Sequence, residues 1–140
     1  MIDIKQSASD SMIRNAESAF PHECCGFFFG NNGEVTEIKV VSNKRTDHKE
    51  RRFLMDPLDF LKAEEYAEEK NLELMGIYHS HPDHPSIPSE FDRVHAWPNL
   101  SYIIISVIKG RFDKIQSWRL NEDRQFEEEI ISPIKTQTHA

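Results

Sequence analysis

Two cysteines are all that the 140 residues contain, and they sit side by side as Cys24 and Cys25. Vicinal cysteines rarely bridge, because closing the ring strains the peptide between them. No disulfide framework is expected, and that suits a reducing compartment. Nowhere do about 18 apolar residues follow one another, the length a membrane-spanning helix needs. The opening Met1-Ile2-Asp3-Ile4-Lys5 has neither a basic start nor a long apolar run. Together these absences predict a cytoplasmic protein with no membrane partner. Basic clusters are missing as well: 17 Lys and Arg stand against 24 Asp and Glu, a formal charge of −7, with no block of five basic residues. Binding to a phosphate backbone rests on clustered Lys and Arg, so nucleic acid is not an expected partner.

With 5 glycines and 7 prolines there is no linker rich in Gly, Pro or Ser, and no internal repeat. What is present is 38% hydrophobic and 29% charged. A chain of about 150 residues buries roughly 68–70% of its unfolded surface, enough for a core without staples. The expectation is one domain over residues 1–134 and a frayed polar tail over 135–140.

Over residues 7–20 the apolar Met12, Ile13, Ala16, Ala19 and Phe20 recur at three- and four-residue intervals, with Ser7 and Asp10 spaced as a capping pair. They predict a helix stopped by Pro21. Residues 24–29, closed by Gly30, read as a buried strand; Asn31-Asn32-Gly33 turns the chain into an alternating strand over 34–41. Residues 42–52 are polar and mixed in charge, a loop or solvated edge. Asp56-Pro57 opens a second helix, with Phe60, Ala63, Tyr66 and Ala67 on one face, that ends at Asn71. Residues 74–78, 102–108 and 115–120 have strand length and composition, and 126–131 are a further candidate. Interleaved helices and strands give an α/β or α+β class, a central mixed β-sheet flanked by helices.

The chemistry concentrates in Gly76-Ile77-Tyr78-His79-Ser80-His81-Pro82 and the segment that follows, to Asp92. Residues two apart on a strand share a face, so His79 and His81 can aim two imidazoles at one point. A catalytic zinc centre takes three protein ligands and leaves a position open, and Asp92, eleven residues beyond His81, is a suitable third. Pro82, Pro85 and Pro88 predict an extended connection that carries the chain across the site. Ser89 and Asp92, three apart, would share a face of a short helix and look back toward the histidines. Blander readings exist for each feature. Ser89 with Asp92 also fits a capping pair, a His-x-His pair is often no more than two hydrogen-bonded neighbours, and His84, His95 or His48 could replace a ligand.

The full pattern, His79-x-His81, seven residues, Ser89, two residues, Asp92, resembles the motif of the JAMM (MPN+) metalloprotease family. Upstream, Pro21-x-Glu23-Cys24-Cys25-Gly26 is similar to the segment where this family keeps its catalytic glutamate. The order of elements resembles the family over nearly the whole chain, which implies a JAMM/MPN-like (cytidine deaminase-like) fold. The resemblance also implies the roles. His79, His81 and Asp92 would hold one zinc ion per chain, Glu23 would be the general base that takes a proton from the metal-activated water and returns it to the departing amine, and Ser89 would donate a hydrogen bond to the developing oxyanion. Cys24 and Cys25 invite a thiol or ligand reading, but lie in an apolar run and are read as buried packing.

Members of that family hydrolyse the peptide or isopeptide bond after the C-terminal glycines of ubiquitin or of ubiquitin-like sulfur-carrier proteins. A thin Gly-Gly tail can lie extended in a narrow groove and add backbone hydrogen bonds to a sheet edge. Residues 42–53, with Lys44, Arg45, Arg51 and Arg52, are the candidate border of that groove, against the plain reading of a solvated charged loop. Only about nine residues separate Asp92 from the strand near Tyr102, so the long second insertion of the eukaryotic enzymes is missing and the compact prokaryotic form is the better likeness. A sulfur carrier is therefore the favoured substrate. The alternatives are an isopeptidase of a prokaryotic ubiquitin-like conjugation system, a non-catalytic MPN interaction scaffold, and a metal-dependent hydrolase of small amides or nucleotides.

Overall fold

The computed structural model describes residues 1–42 and 55–133. All but Ser42 of the expected groove border at 42–53, His48 and the tail at 135–140 lie outside them. The elements are β1 (Asp3–Ile4), α1 (Gln6–Ala19), β2 (Cys25–Asn31), β3 (Glu34–Val41), α2 (Pro57–Lys70), β4 (Glu73–Pro82), α3 (Glu90–His95), β5 (Ser101–Ile108), β6 (Arg111–Leu120) and β7 (Phe126–Glu129). The strands form one mixed sheet in the order β1-β3-β2-β4-β5-β6-β7. Pairing is antiparallel except for β1 with β3 and β4 with β5. The parallel step from β4 to β5 needs a crossover, and α3 occupies it.

Alternation along the strands sorts their side chains between two apolar layers. On one face Phe28, Tyr78, Ile103 and Ile105 pack with Ala8, Met12 and Ala16 of α1; on the other Cys25, Phe27, Phe29 and Ile77 pack with Ala63 and Ala67 of α2. The sheet flanked by helices is thus as expected. Among the described residues no helix is long and apolar enough to cross a membrane.

Local chemistry explains α2 well. The Asp56 side chain accepts from Leu58 N–H at 2.9 Å, Pro57 takes the first turn, and Asn71 closes the helix in the left-handed region at φ 57°. The first helix does not follow the expected cap. It starts at Gln6 behind Lys5, which is extended and offers no side-chain bond, so Ser7 and Asp10 are helical positions. Burial of Ala8, Met12 and Ala16 against the sheet holds α1, in keeping with the rule that tertiary packing supplies most helical stability.

Where β4 meets β5 the backbones leave no room for a side chain. A Cβ on Gly76 would lie 1.9 Å from the Ser101 carbonyl oxygen and 2.5 Å from Phe28 Cζ. Gly76→Ala is expected to destabilise the protein by at least about 2 kcal/mol, the scale of a core that must shift. A clear fall in the urea midpoint checks it, and an unchanged midpoint would mean the strands yield more easily than this packing implies.

Candidate metal centre

Strand β4 does not stop at Tyr78, where the apolar run ends, but continues through Pro82. Its polar end is paired on both sides: Cys25 of β2 stands opposite His79, and Ile104, Ile105 and Ser106 of β5 stand opposite His79, Ser80 and His81. His79 and His81 therefore share the face that carries Ile77 and Cys25, while Ser80 turns to the other. There Ser80 Oγ accepts from Cys24 N–H at 2.9 Å and Ser80 N–H donates to the Cys24 carbonyl at 3.2 Å. These two bonds carry the antiparallel register past the end of β2. Glu23 immediately precedes these residues and is 4% exposed. Ser80 was not singled out in the sequence; nothing but its place between the histidines could have marked it.

Asp92 arrives from the other side, on the first turn of α3. Ser89 is the N-cap: its Oγ accepts from Asp92 N–H at 3.1 Å, and its own N–H donates to Asp92 Oδ2 at 2.9 Å, a reciprocal capping box. The capping reading of this pair holds, and the same bonds aim the carboxylate. The connection from Pro82 is not extended as predicted. It turns at Asp83, φ 57°, where Asp83 N–H donates to the Val107 carbonyl at 2.7 Å and Asp83 Oδ1 accepts from Lys109 N–H at 2.7 Å. Prolines restrict their own φ and the preceding residue, and Asp83 lies outside both constraints.

The three side chains meet. His79 Nε2 is 3.1 Å from His81 Nε2 and 3.3 Å from Asp92 Oδ1, and His81 Nε2 is 3.1 Å from Asp92 Oδ2. All three residues are buried. The far nitrogen of His81, Nδ1, donates to the Pro85 carbonyl at 2.7 Å. That bond fixes the tautomer and leaves the Nε2 lone pair facing the cluster, the arrangement by which an outer partner orients a ligating imidazole. Pro85 thus contributes its carbonyl, a role that the proline spacing did not suggest.

Electrostatics push the groups into their ligating forms. Burial drives the His79 pKa down and favours neutral imidazole, against the pull of Asp92. Burial alone would raise the Asp92 carboxyl, but its contacts with His79 and His81 outweigh that and hold the carboxyl well below the ordinary carboxylate range. A neutral imidazole and an ionised carboxylate are what a cation needs. Ligand atoms of His79, His81 and Asp92 all lie within 4.8 Å of one another, and two nitrogens with a carboxylate are donors that suit a divalent cation.

Other candidates are elsewhere. His84 is exposed on the turn. His95 is also exposed, its Nδ1 2.9 Å from the Phe91 carbonyl and its ring stacked on Phe91. Cys24 and Cys25 are buried free thiols, and burial pushes their pKa up to about 11 and about 12. A thiol held there is no nucleophile at neutral pH, and neither sulfur belongs to the cluster of His79, His81 and Asp92. Replacing both by Ala is expected to leave turnover within about threefold of the parent; loss of activity with the fold intact would restore a thiol role. Beside His79 and Asp92 opens a recess of about 430 Å³, walled by Met55, Pro57, Ile77, Phe91, Trp97 and Tyr102.

A family model described as prokaryotic homologs of the JAB domain matches residues 5–121. The chain belongs to that family. A desampylase of Pyrococcus furiosus is 36% identical over 108 residues, covering 76% of this chain and 72% of its own length. A probable TtuB-protein conjugate cleaving protease of Thermus thermophilus is 36% identical over 73 residues, 52% of this chain and 46% of that one. Among solved structures, a Desulfitobacterium hafniense protein superimposes with a TM-score of 0.81 at 28% identity, covering 98% of this chain and 96% of that one. A JAB1/MPN domain protein of Archaeoglobus fulgidus gives 0.62 at 18% identity over 96% and 100%, a likeness of fold. The prokaryotic JAB domain and the mixed sheet agree with the family resemblance read from the motif.

Proposed function

We propose that this JAB-domain chain is a zinc metallopeptidase that hydrolyses the bond after the C-terminal Gly-Gly of a ubiquitin-like or sulfur-carrier protein. The observation that carries the reading is the buried convergence of His79, His81 and Asp92 on a strand end and a helix start. These three would hold the ion. When bound, zinc supplies Lewis acidity, making water a nucleophile near neutral pH and polarising the scissile carbonyl.

The chain's own residues do the rest. Glu23, buried two residues before the Cys25–His79 pair, takes the proton of the attacking water and hands it to the departing amine. Ser89 spends its lone pairs on Asp92 N–H and keeps its own O–H to donate to the carbonyl oxygen as negative charge grows there. The recess beside His79 and Asp92 gives the substrate a mainly apolar wall close to the reacting bond. Residues 42–53 remain the proposed border for the incoming tail. Between peptide and isopeptide bonds, the relatives named as a desampylase and a conjugate-cleaving protease favour a protein conjugate. A single domain in the cytoplasm is part of the same proposal.

The test is a ubiquitin-like carrier joined through its last glycine to a lysine peptide, followed by mass spectrometry. The expected product is the carrier ending in a free Gly-Gly carboxylate, lost with a chelator and restored by zinc. An uncut carrier in the presence of zinc-loaded protein would favour the non-catalytic scaffold.

A further inference from the structure

Asp92 rides on a helix of six residues, far below the about 12 that even favourable isolated helices need. Something else must hold it. The capping box secures its N-terminal end. At the other end the carbonyls of a last turn are left without intrahelical partners, and here they are met from the β6–β7 turn. Arg124 Nη2 donates to the carbonyls of Arg93 at 2.9 Å, Val94 at 3.4 Å and Ala96 at 3.2 Å, and Arg93 Nη1 donates back to the Arg124 carbonyl at 3.2 Å. One guanidinium nitrogen thus shares its two hydrogens among three carbonyls, and the charge of the group complements the helix C-terminus.

The backbone of Arg124 gives a second, independent sign. Its φ is 57°, in the left-handed region, which glycine adopts freely and arginine does not. The turn itself is closed by backbone and by Asn121: Asn121 Oδ1 accepts from Asp123 N–H at 2.9 Å and Gln125 N–H at 3.0 Å, and Arg124 N–H donates to the Asn121 carbonyl at 3.0 Å. None of these bonds uses the Arg124 side chain, so the turn by itself would favour glycine.

We propose that Arg124 is a positioning residue that holds α3, and with it the Asp92 carboxylate, against His79 and His81. It touches neither ligand nor substrate; it acts through the end of the helix. Trp97 N–H, which donates to Tyr102 Oη at 2.6 Å, anchors the chain just beyond, so removing Arg124 loosens the carboxylate without freeing it. The inference rests on the metal reading above.

The experiment is zinc titration against a chromophoric chelator, with the melting temperature of the metal-free protein measured in parallel, for wild type, Arg124→Gly and Arg124→Lys. Glycine accepts the turn geometry, so the metal-free Arg124→Gly variant is expected to melt within a few degrees of wild type. Its zinc affinity is expected to fall about tenfold, the lower edge of what groups that orient ligands are worth. Lysine keeps the charge but not the planar head that reaches these carbonyls, and falls between the two. Unchanged zinc affinity in Arg124→Gly overturns the proposal, as does an affinity loss that only follows a matching drop in melting temperature. Wild-type protein that binds no zinc defeats the metal reading, and this inference with it, which a selective loss in the variants cannot be confused with.

Discussion

Glu23→Gln is expected to cut turnover of the Gly-Gly conjugate by about 10²–10⁴-fold, the range that a positioned general acid–base contributes, while zinc content stays at the wild-type level. The substitution keeps size and a carbonyl acceptor at a buried position, so the fold should hold. What it removes is the ability to carry a proton from water to the leaving amine. The loss should fall on kcat with little change in KM, because the missing interaction is made in the transition state. A variant that lost zinc instead would make Glu23 a ligand, and one that kept full activity would leave the proton transfer to another group.

The second large effect concerns the ligands. Asp92→Asn preserves shape and an oxygen able to accept Ser89 N–H, yet discards the charge that complements a cation. Zinc at a hundredfold excess over its Kd stabilises a protein that binds it only when folded by about 2.7 kcal/mol, which for a domain of this size is a rise of about 5–10 °C in Tm. That rise is expected for wild type and absent from Asp92→Asn and His81→Ala, both with turnover reduced to background. A variant that retained the thermal shift would place the ion elsewhere.

Much of this site was legible in the order of residues, and the reasons are local. His79 and His81 share a face because a strand has a period of two, and Ser89 and Asp92 are coupled because a helix start has an N-cap and an N3. The second helix was legible for the same kind of reason, with Asp56-Pro57 at one end and Asn71 at the other. What stayed hidden depends on partners distant in the chain. Strand β4 outruns its apolar stretch because the backbones of His79, Ser80 and His81 stay paired with neighbouring strands, and a hydrophobic pattern cannot see that pairing. Strand β1, two residues beside β3, is too short to show any period.

Glu23 is the clearest case. Its 56 residues of separation from His79 gave no reason to join them; only resemblance to a family did. The Cys25–His79 pair and the Cys24–Ser80 bonds bring the chain next to Glu23 alongside β4, a meeting of distant residues that no local pattern encodes. The Ser7–Asp10 cap failed in the opposite way, a good local signal overridden because burial of Met12 and Ala16 decides where α1 lies. Arg124 carries no signal in its neighbourhood at all; its meaning appears when the β6–β7 turn meets α3.

The most direct test is diffraction at the zinc absorption edge from crystals grown with the metal. A single anomalous peak is expected between His79 Nε2, His81 Nε2 and the Asp92 carboxylate, with the Glu23 carboxylate facing its open side. A peak on Cys24 or Cys25, or three side chains diverging around no peak, would contradict the account.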